Sequence, residues 1–256
     1  MFEDGTGNQN LGALIVLNER CMELHFCCLA IKPILEVKSC IKETKWVITQ
    51  VMWMARIAGG FNVDGTELIS GNKINELVRL IKEDLKHEQV IVWFRFNSEG
   101  HRAVEKLSNS GISSEFITGA VNKKHRPDIV KRFQSGQFRV LAMQVKCGRF
   151  GLDCSAADTA IYYSNPYDGE DRAQTEDRIV HPKKKKPLLL IDLISRNSID
   201  EDVIRILKDK RQSSRQFMRT LITDLVSQWR KYKIGITKQT IEKKVINRNM
   251  YVGHCS

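Results

Sequence analysis

The sequence predicts an α/β protein built on a single parallel sheet with helices on both faces. Three observations predict it. Strand-like and helix-like segments alternate from Gly71 to Arg219. The strand-like segments, such as V-I-V-W-F at 90–94 and L-L-L-I at 188–191, are continuous apolar runs. Such runs belong to strands covered on both faces, whereas a half-exposed strand alternates apolar and polar residues. And 42% of the 256 residues are apolar, enough to fill a core of that kind.

The elements follow in order. Glu43 to Ala58 reads as a helix closed by Gly59-Gly60, and Asn62 to Thr66 as a turn. Residues 1–70 as a whole read as a mostly helical linker. Asn72 is placed to cap a helix running to Lys86, with Ile74, Leu77, Leu80, Ile81 and Leu85 at helical spacing. Val90–Phe94 is the first strand of the main pattern. Ser98 to Ser108 is a helix with Ala103, Val104 and Leu107 inward, ended by Gly111. Ile112 to Ile117 is a second strand. Lys124 to Gln134 is a helix with Ile129, Val130 and Phe133 as its buried face. Phe138–Val145, Thr159–Tyr163 and Leu188–Ile194 are three further strands, and Ile199 to Arg219 is a long final helix. The predicted division is a linker over 1–70, the α/β lobe over 71–219 and a basic tail over 220–256.

Charge and cysteines narrow the class. The formal charge of +11 lies wholly in residues 183–256, and residues 1–182 are neutral overall. Contacts of the main lobe with a polyanion must therefore be local, with the tail as an accessory grip. The most apolar stretch, Leu11 to Ile34, is interrupted by Glu19, Arg20, Glu23 and Lys32, which argues against a membrane span. None of the seven cysteines forms a C-x-x-C pair, so no zinc site or other metal centre is expected, and reduced thiols place the chain inside the cell.

In parallel sheets ligands bind beyond the carboxyl ends of the strands, so the loops there carry the chemistry. After the third strand of the main pattern comes C-G-R-F-G-L-D-C-S-A-A-D, in which Gly148 and Gly151 allow a close backbone approach. That loop is either a tight strand exit or a ligand-binding loop. After the fourth strand, Gln174, Asp177, Arg178 and His181 fall on one face if the segment is helical. The row is either a solvated salt-bridged surface or a set of groups aimed at phosphate, which a guanidinium binds through two oxygens at once. Lys183, Lys184, Lys185 and Lys186 form either a solvated loop or a phosphate-backbone contact. In the tail, Trp229-Arg-Lys-Tyr-Lys suits stacking plus charge, or an amphipathic helix packing back on the lobe.

Taken in order, V-I-V-W-F-R-F, F-I-T-G-A-V-N-K-K-H-R, R-F-Q-S-G-Q-F-R-V-L, G-R-F-G-L-D-C-S-A-A-D-T-A-I-Y-Y, R-A-Q-T-E-D-R-I-V-H-P and S-I-D-E-D-V-I-R-I-L-K-D-K-R resemble a known set. They are similar to the C-terminal RecA-like lobe of superfamily 2 helicases, nearest to the Swi/Snf-like ATPases and their phage and viral relatives. The resemblance covers about residues 45–217. It implies that Trp93–Phe96 is motif IV and that Thr118 and Gly119 touch the nucleic-acid backbone. It implies that Gly148, Gly151, Leu152 and Asp153 are motif V, facing nucleotide and DNA. Gln174, Asp177 and Arg178 would be motif VI, which points arginine at the ATP γ-phosphate across a cleft between two lobes.

Two departures follow. The second motif VI arginine is replaced by His181, whose imidazole cannot fork onto phosphate. And no G-x-x-x-x-G-K-[ST] cradle occurs in the 256 residues. Asp200-Glu201-Asp202 imitates a Walker B pair but opens a helix, where acids belong on electrostatic grounds. The resemblance therefore implies half of a motor, using ATP with Mg²⁺ only where a first lobe is supplied in trans, with DNA as the expected partner and no membrane. The alternative is a stand-alone lobe that grips nucleic acid or protein without catalysis.

Overall fold

In the computed structural model the backbone is described for residues 2–3, 9–17, 27–29, 32–37, 40–43, 47–181, 184, 188–196 and 198–208, and side chains from Thr49 onward except Gln50, Ile206 and Lys208. The strands are β1 (Phe2–Glu3), β2 (Gln9–Leu17), β3 (Cys27–Leu29), β4 (Lys32–Val37), β5 (Cys40–Glu43), β6 (Val90–Phe94), β7 (Ser114–Ile117), β8 (Val140–Gln144), β9 (Thr159–Tyr162) and β10 (Leu189–Ser195). The helices are α1 (Val47–Ala58), α2 (Asn72–Arg79), α3 (Asn97–Asn109), α4 (Arg126–Gln134), α5 (Gly169–Glu176) and α6 (Ile199–Lys208). Two units divide the chain: Met1–Met22 with Ile48–Phe217, and Glu23–Val47 with Met218–Ser256. The second unit holds the antiparallel sheet β3-β4-β5.

The first unit is organised by the sheet β1-β2-β10-β9-β6-β8-β7, in which every pair from β2 to β7 is parallel. All five residues of β6 are buried. Its side chains part by alternation: Val90, Val92 and Phe94 join one core with Ile74, Leu77 and Ile81 of the α2 region and Ala103 and Leu107 of α3. Ile91 and Trp93 join the other, with Val130 and Phe133 of α4 and the residues after β8. The period of two along β6 thus fills two cores, one per face, and explains why V-I-V-W-F carries no polar residue.

The chain leaves β6 for β7 on one side of the sheet order and leaves β8 for β9 on the other. Neighbouring strands whose connections diverge open a crevice outside their carboxyl ends. The five strand-exit loops therefore share one edge.

Several expectations are corrected. Residues 1–70 are not mostly helical: the described part holds five strands and only α1 as helix. The run L-G-A-L-I-V-L at 11–17 pairs with β10 along its length, Leu11 opposite Leu189 and Leu17 opposite Ser195. A short apolar run has no periodicity to separate strand from helix, which is why the sequence misleads there. Asn72 is not the cap; that position is Gly71, with no side-chain bond, and α2 widens into a π-helical turn over Leu80–Asp84. Beyond Lys208 the expected long helix, the tail at 220–256 and Trp229 lie outside the described residues, as do Lys183, Lys185 and Lys186. Among the described residues no helix is long and apolar enough to cross a membrane.

Candidate functional site

The loop after β8 opens with a 3₁₀ turn, Val145–Phe150, and ends in Gly151 at φ +66°. Two glycines there have separate reasons. Gly151 occupies the left-handed region that a side chain resists. Gly148 is needed for space: a Cβ would come 2.8 Å from Thr175 Cγ2 and 3.3 Å from the Trp93 ring. Leu152 points into the core beside Cys147 and Cys154, both free and buried thiols, and burial pushes the Cys154 thiol up to about 12.

The segment after β9 is shorter as a helix than its spacing suggests. Asp168 caps α5 by accepting from the Glu170 N–H, and the helix ends at Glu176 with Asp177 at its cap. Arg178 and His181 therefore follow a turn and do not continue the face that begins with Gln174. The chain turns because Ile179 enters the core and the Arg178 carbonyl accepts from Cys154 N–H at 2.9 Å. Gln174 donates to Glu170 Oε1 at 3.1 Å, while its own Oε1 is buried without a protein partner. Arg178 Nε donates to the Gln174 carbonyl at 3.1 Å.

These bonds bring the two loops together. A Cβ at Gly151 would stand 3.9 Å from Arg178 Nη1. The Asp153 carboxyl is held below the usual carboxylate range by hydrogen bonds from Ser155, backbone first, and the charge of His181 assists. Leu152 is buried and Asp177 exposed. Arg178 is the arginine that these loops would offer to a nucleotide phosphate, and no phosphate cradle stands beside it among the described residues. No group of three metal-ligating side chains occurs among the described residues.

Thr118 and Gly119 lie at the exit of β7. Thr118 is buried and its hydroxyl accepts from Ala120 N–H; the exposed Gly119 donates its N–H to Gln144 Oε1 at 3.2 Å. Lys184 is held down by Asp158 at 2.8 Å and by the Ala157 carbonyl.

Sequence reasoning missed three groups. Arg126, 3% exposed, donates to the carbonyls of Thr118, Gly119 and Val121 and lies 4.5 Å beneath the Phe150 ring. Glu99 is wholly buried, bonded by the Ser164 hydroxyl and the Phe96 N–H, and burial pushes its carboxyl up to about 7. Lys73, 1% exposed, pairs with Asp200 at 2.6 Å. That pairing gives Asp200 a structural partner in place of a metal. Only the letters H-R-P, E-G and N-K-I signal these positions in the sequence, and none names a buried ion.

The helicase conserved C-terminal domain family matches residues 72–183. Among curated proteins, the chain is similar to the putative ATP-dependent helicase/translocase YwqA of Bacillus subtilis, 24% identical over 171 residues, covering 64% of this chain and 18% of that protein. It is also similar to the ATP-dependent helicase fft1 of Schizosaccharomyces pombe, 21% identical over 151 residues, covering 59% and 16%. The match thus spans less than a fifth of either relative's length. In fold it is similar to the crystal structure of the C-terminal part of the Fun30 ATPase domain, at a TM-score of 0.52 and 19% identity, covering 60% of this chain and 53% of that one.

Proposed function

We propose, from a chain whose residues 72–183 match the helicase conserved C-terminal domain family and resemble the Swi/Snf-like superfamily 2 lobe, that it acts as the second lobe of an ATP-dependent DNA translocase or helicase. Arg178 would reach the γ-phosphate of a nucleotide held by a first lobe and stabilise charge in phosphoryl transfer. The Gly148–Asp153 loop would face both nucleotide and DNA, with Gln174 and Asp177 at the lobe interface, and Thr118 and Gly119 would meet the nucleic-acid backbone. The observation that carries this reading is the approach of Arg178 to Gly151 at the shared strand edge. The chain by itself would not hydrolyse ATP, since its sequence has no phosphate-cradling lysine loop.

The test is ATPase measured on the chain alone, and on the chain mixed with a first lobe from the Bacillus subtilis relative, each with and without DNA. Background turnover alone and DNA-stimulated turnover in the mixture are expected, with Arg178→Ala reducing the latter by about 10²–10³. DNA-stimulated hydrolysis by the chain alone, abolished by Arg178→Ala, would overturn the half-motor reading.

One observation favours a second reading, a non-catalytic lobe that grips nucleic acid or protein. His181 stands where a second arginine is expected, and imidazole offers no two-pronged phosphate contact. If the mixture turns over only with His181→Arg, the natural chain is the non-catalytic form.

A further inference from the structure

Phe150 is 48% exposed, and the only other large apolar side chain so exposed among the described residues is Val180. A solvated phenyl ring in a tightly built loop has a surface cost, and its surroundings suggest what offsets it. The Arg126 guanidinium lies 4.5 Å from the ring centroid and the Lys123 ammonium 5.6 Å. Arg126 is buried and spends its bonds on the Thr118–Val121 backbone, and its Nη1 has no protein partner. It therefore joins the loop after β7 to the loop after β8. Arg149, next in the chain, is taken up by Asp171 at 2.6 Å and belongs to a different contact. Lys123, Lys124 and His125, in the loop after β7, are exposed.

An aromatic face bordered by cations is the combination that binds a nucleic-acid strand with an unstacked base: the ring takes the base and the ammonium takes a phosphate. A fully stacked duplex offers phosphates but no base face to such a ring. We infer that Phe150 is a base-stacking residue for single-stranded nucleic acid, with Lys123 as its phosphate contact and Arg126 as the positioning residue that fixes the ring against the Thr118–Gly119 loop. This rests on the nucleic-acid part of the function proposed above.

The test uses the full chain and fluorescence anisotropy with a labelled oligothymidine and a blunt duplex of equal length. Phe150→Ala should weaken oligothymidine binding by roughly 5- to 100-fold and duplex binding by less than about twofold. Phe150→Trp should keep the affinity and show indole quenching on binding, and Phe150→Leu should behave as Ala, because bulk without a π-face does not stack. Lys123→Ala should weaken both ligands and lower the salt slope by about one. Circular dichroism checks that each variant is folded. If Lys123→Ala weakens binding while Phe150→Ala does not, stacking is overturned and the nucleic-acid reading stands. If the wild-type chain binds neither ligand, both fail. If Phe150→Ala leaves oligothymidine binding intact but abolishes association with a first lobe, the ring is a protein contact and the proposal is overturned.

Discussion

Tyr162 donates its phenolic proton to Thr175 across 2.8 Å of buried space. The direction follows from the valence of the hydroxyls. Thr175 has one proton, and it goes to the Arg172 carbonyl at 2.7 Å, so Tyr162 must be the donor. The bond ties the floor of the sheet, β9, to α5, whose last turn feeds Arg178. Burial raises the Tyr162 phenol above its ordinary value, which keeps the donor protonated at every working pH.

Tyr162→Phe removes the donor and leaves the ring, which stacks on Trp93 at 6.4 Å between centroids. The expected loss is about 1 kcal/mol in urea unfolding, the usual net value of one hydrogen bond. Thr175 keeps its bond to Arg172, so the variant should fold.

Gly148→Ala tests space, with no change of charge or polarity. The new Cβ would press on Thr175 and the Trp93 ring, both fully buried. Overpacking of this kind costs about 1–3 kcal/mol. The relief available is a shift of α5, so turnover with a supplied first lobe should fall further than the change in Tm suggests.

Glu99 makes stability depend on pH. Its carboxyl is raised by burial from 4.5 to about 7 in the fold, and lowered less by Ser164, Lys73 and the Phe96 N–H. Asp200, close enough to act on it, raises it further. An acid raised in the folded state binds more protons than the unfolded chain. Its contribution is complete below about 4.5 and is lost as pH rises through about 7. Measured against Glu99→Gln, the wild type should lose about 3 kcal/mol between pH 4 and pH 8. A difference that stays constant over that range would refute the assignment.

Lys73→Met should cost about 3 kcal/mol, because it strands Asp200, whose side chain is 13% exposed. Asp200 keeps the Ser195 N–H at 3.1 Å, a neutral donor that does not replace the ammonium. Replacing both partners, Lys73→Met with Asp200→Asn, should recover part of the loss in thermal unfolding. An Asp200 that bound a metal would show the reverse, with stability moved by Mg²⁺ and not by Lys73.

The sheet was legible because β6 and the mainly apolar runs of β8, β9 and β10, which carry polar residues only at Gln144, Thr159, Asp192 and Ser195, alternate with helix-length segments and are bounded by turns. Their limits moved by one or two residues where frayed ends meet loops, as at Phe138 against Val140. The loops were legible by pattern, and Gly148 and Gly151 were found, though the different reasons for them needed Thr175 and the backbone angle. The row from Gln174 to His181 shares one face only if a helix continues through it, and α5 ends at Glu176. The end of α5 is decided by Cys154, whose N–H reaches the Arg178 carbonyl across 24 residues of chain through a tertiary bond. Phe150 could not be found at all: exposure of an aromatic ring is a property of what fails to cover it, and the sequence shows only the ring. The buried ions Lys73, Glu99 and Arg126 look like surface residues in a string of letters, since their partners arrive from distant elements.

The order of the strands also sets a timetable for synthesis. β6 lies in the middle of the sheet, yet its neighbours are β8, where Val90 meets Val140, and β9, where Val90 meets Thr159. As the chain emerges from the ribosome, V-I-V-W-F comes out before either neighbour and waits with both edges unpaired and with the Ile91 and Trp93 face, later covered by α4, still bare. Closure has to follow release of Tyr162, and long-range parallel pairing is slow. The nascent protein should therefore bind holding chaperones over the 90–94 segment, and translation pauses placed between residues 94 and 140 should raise its aggregation, whereas pauses after Ser195 should not.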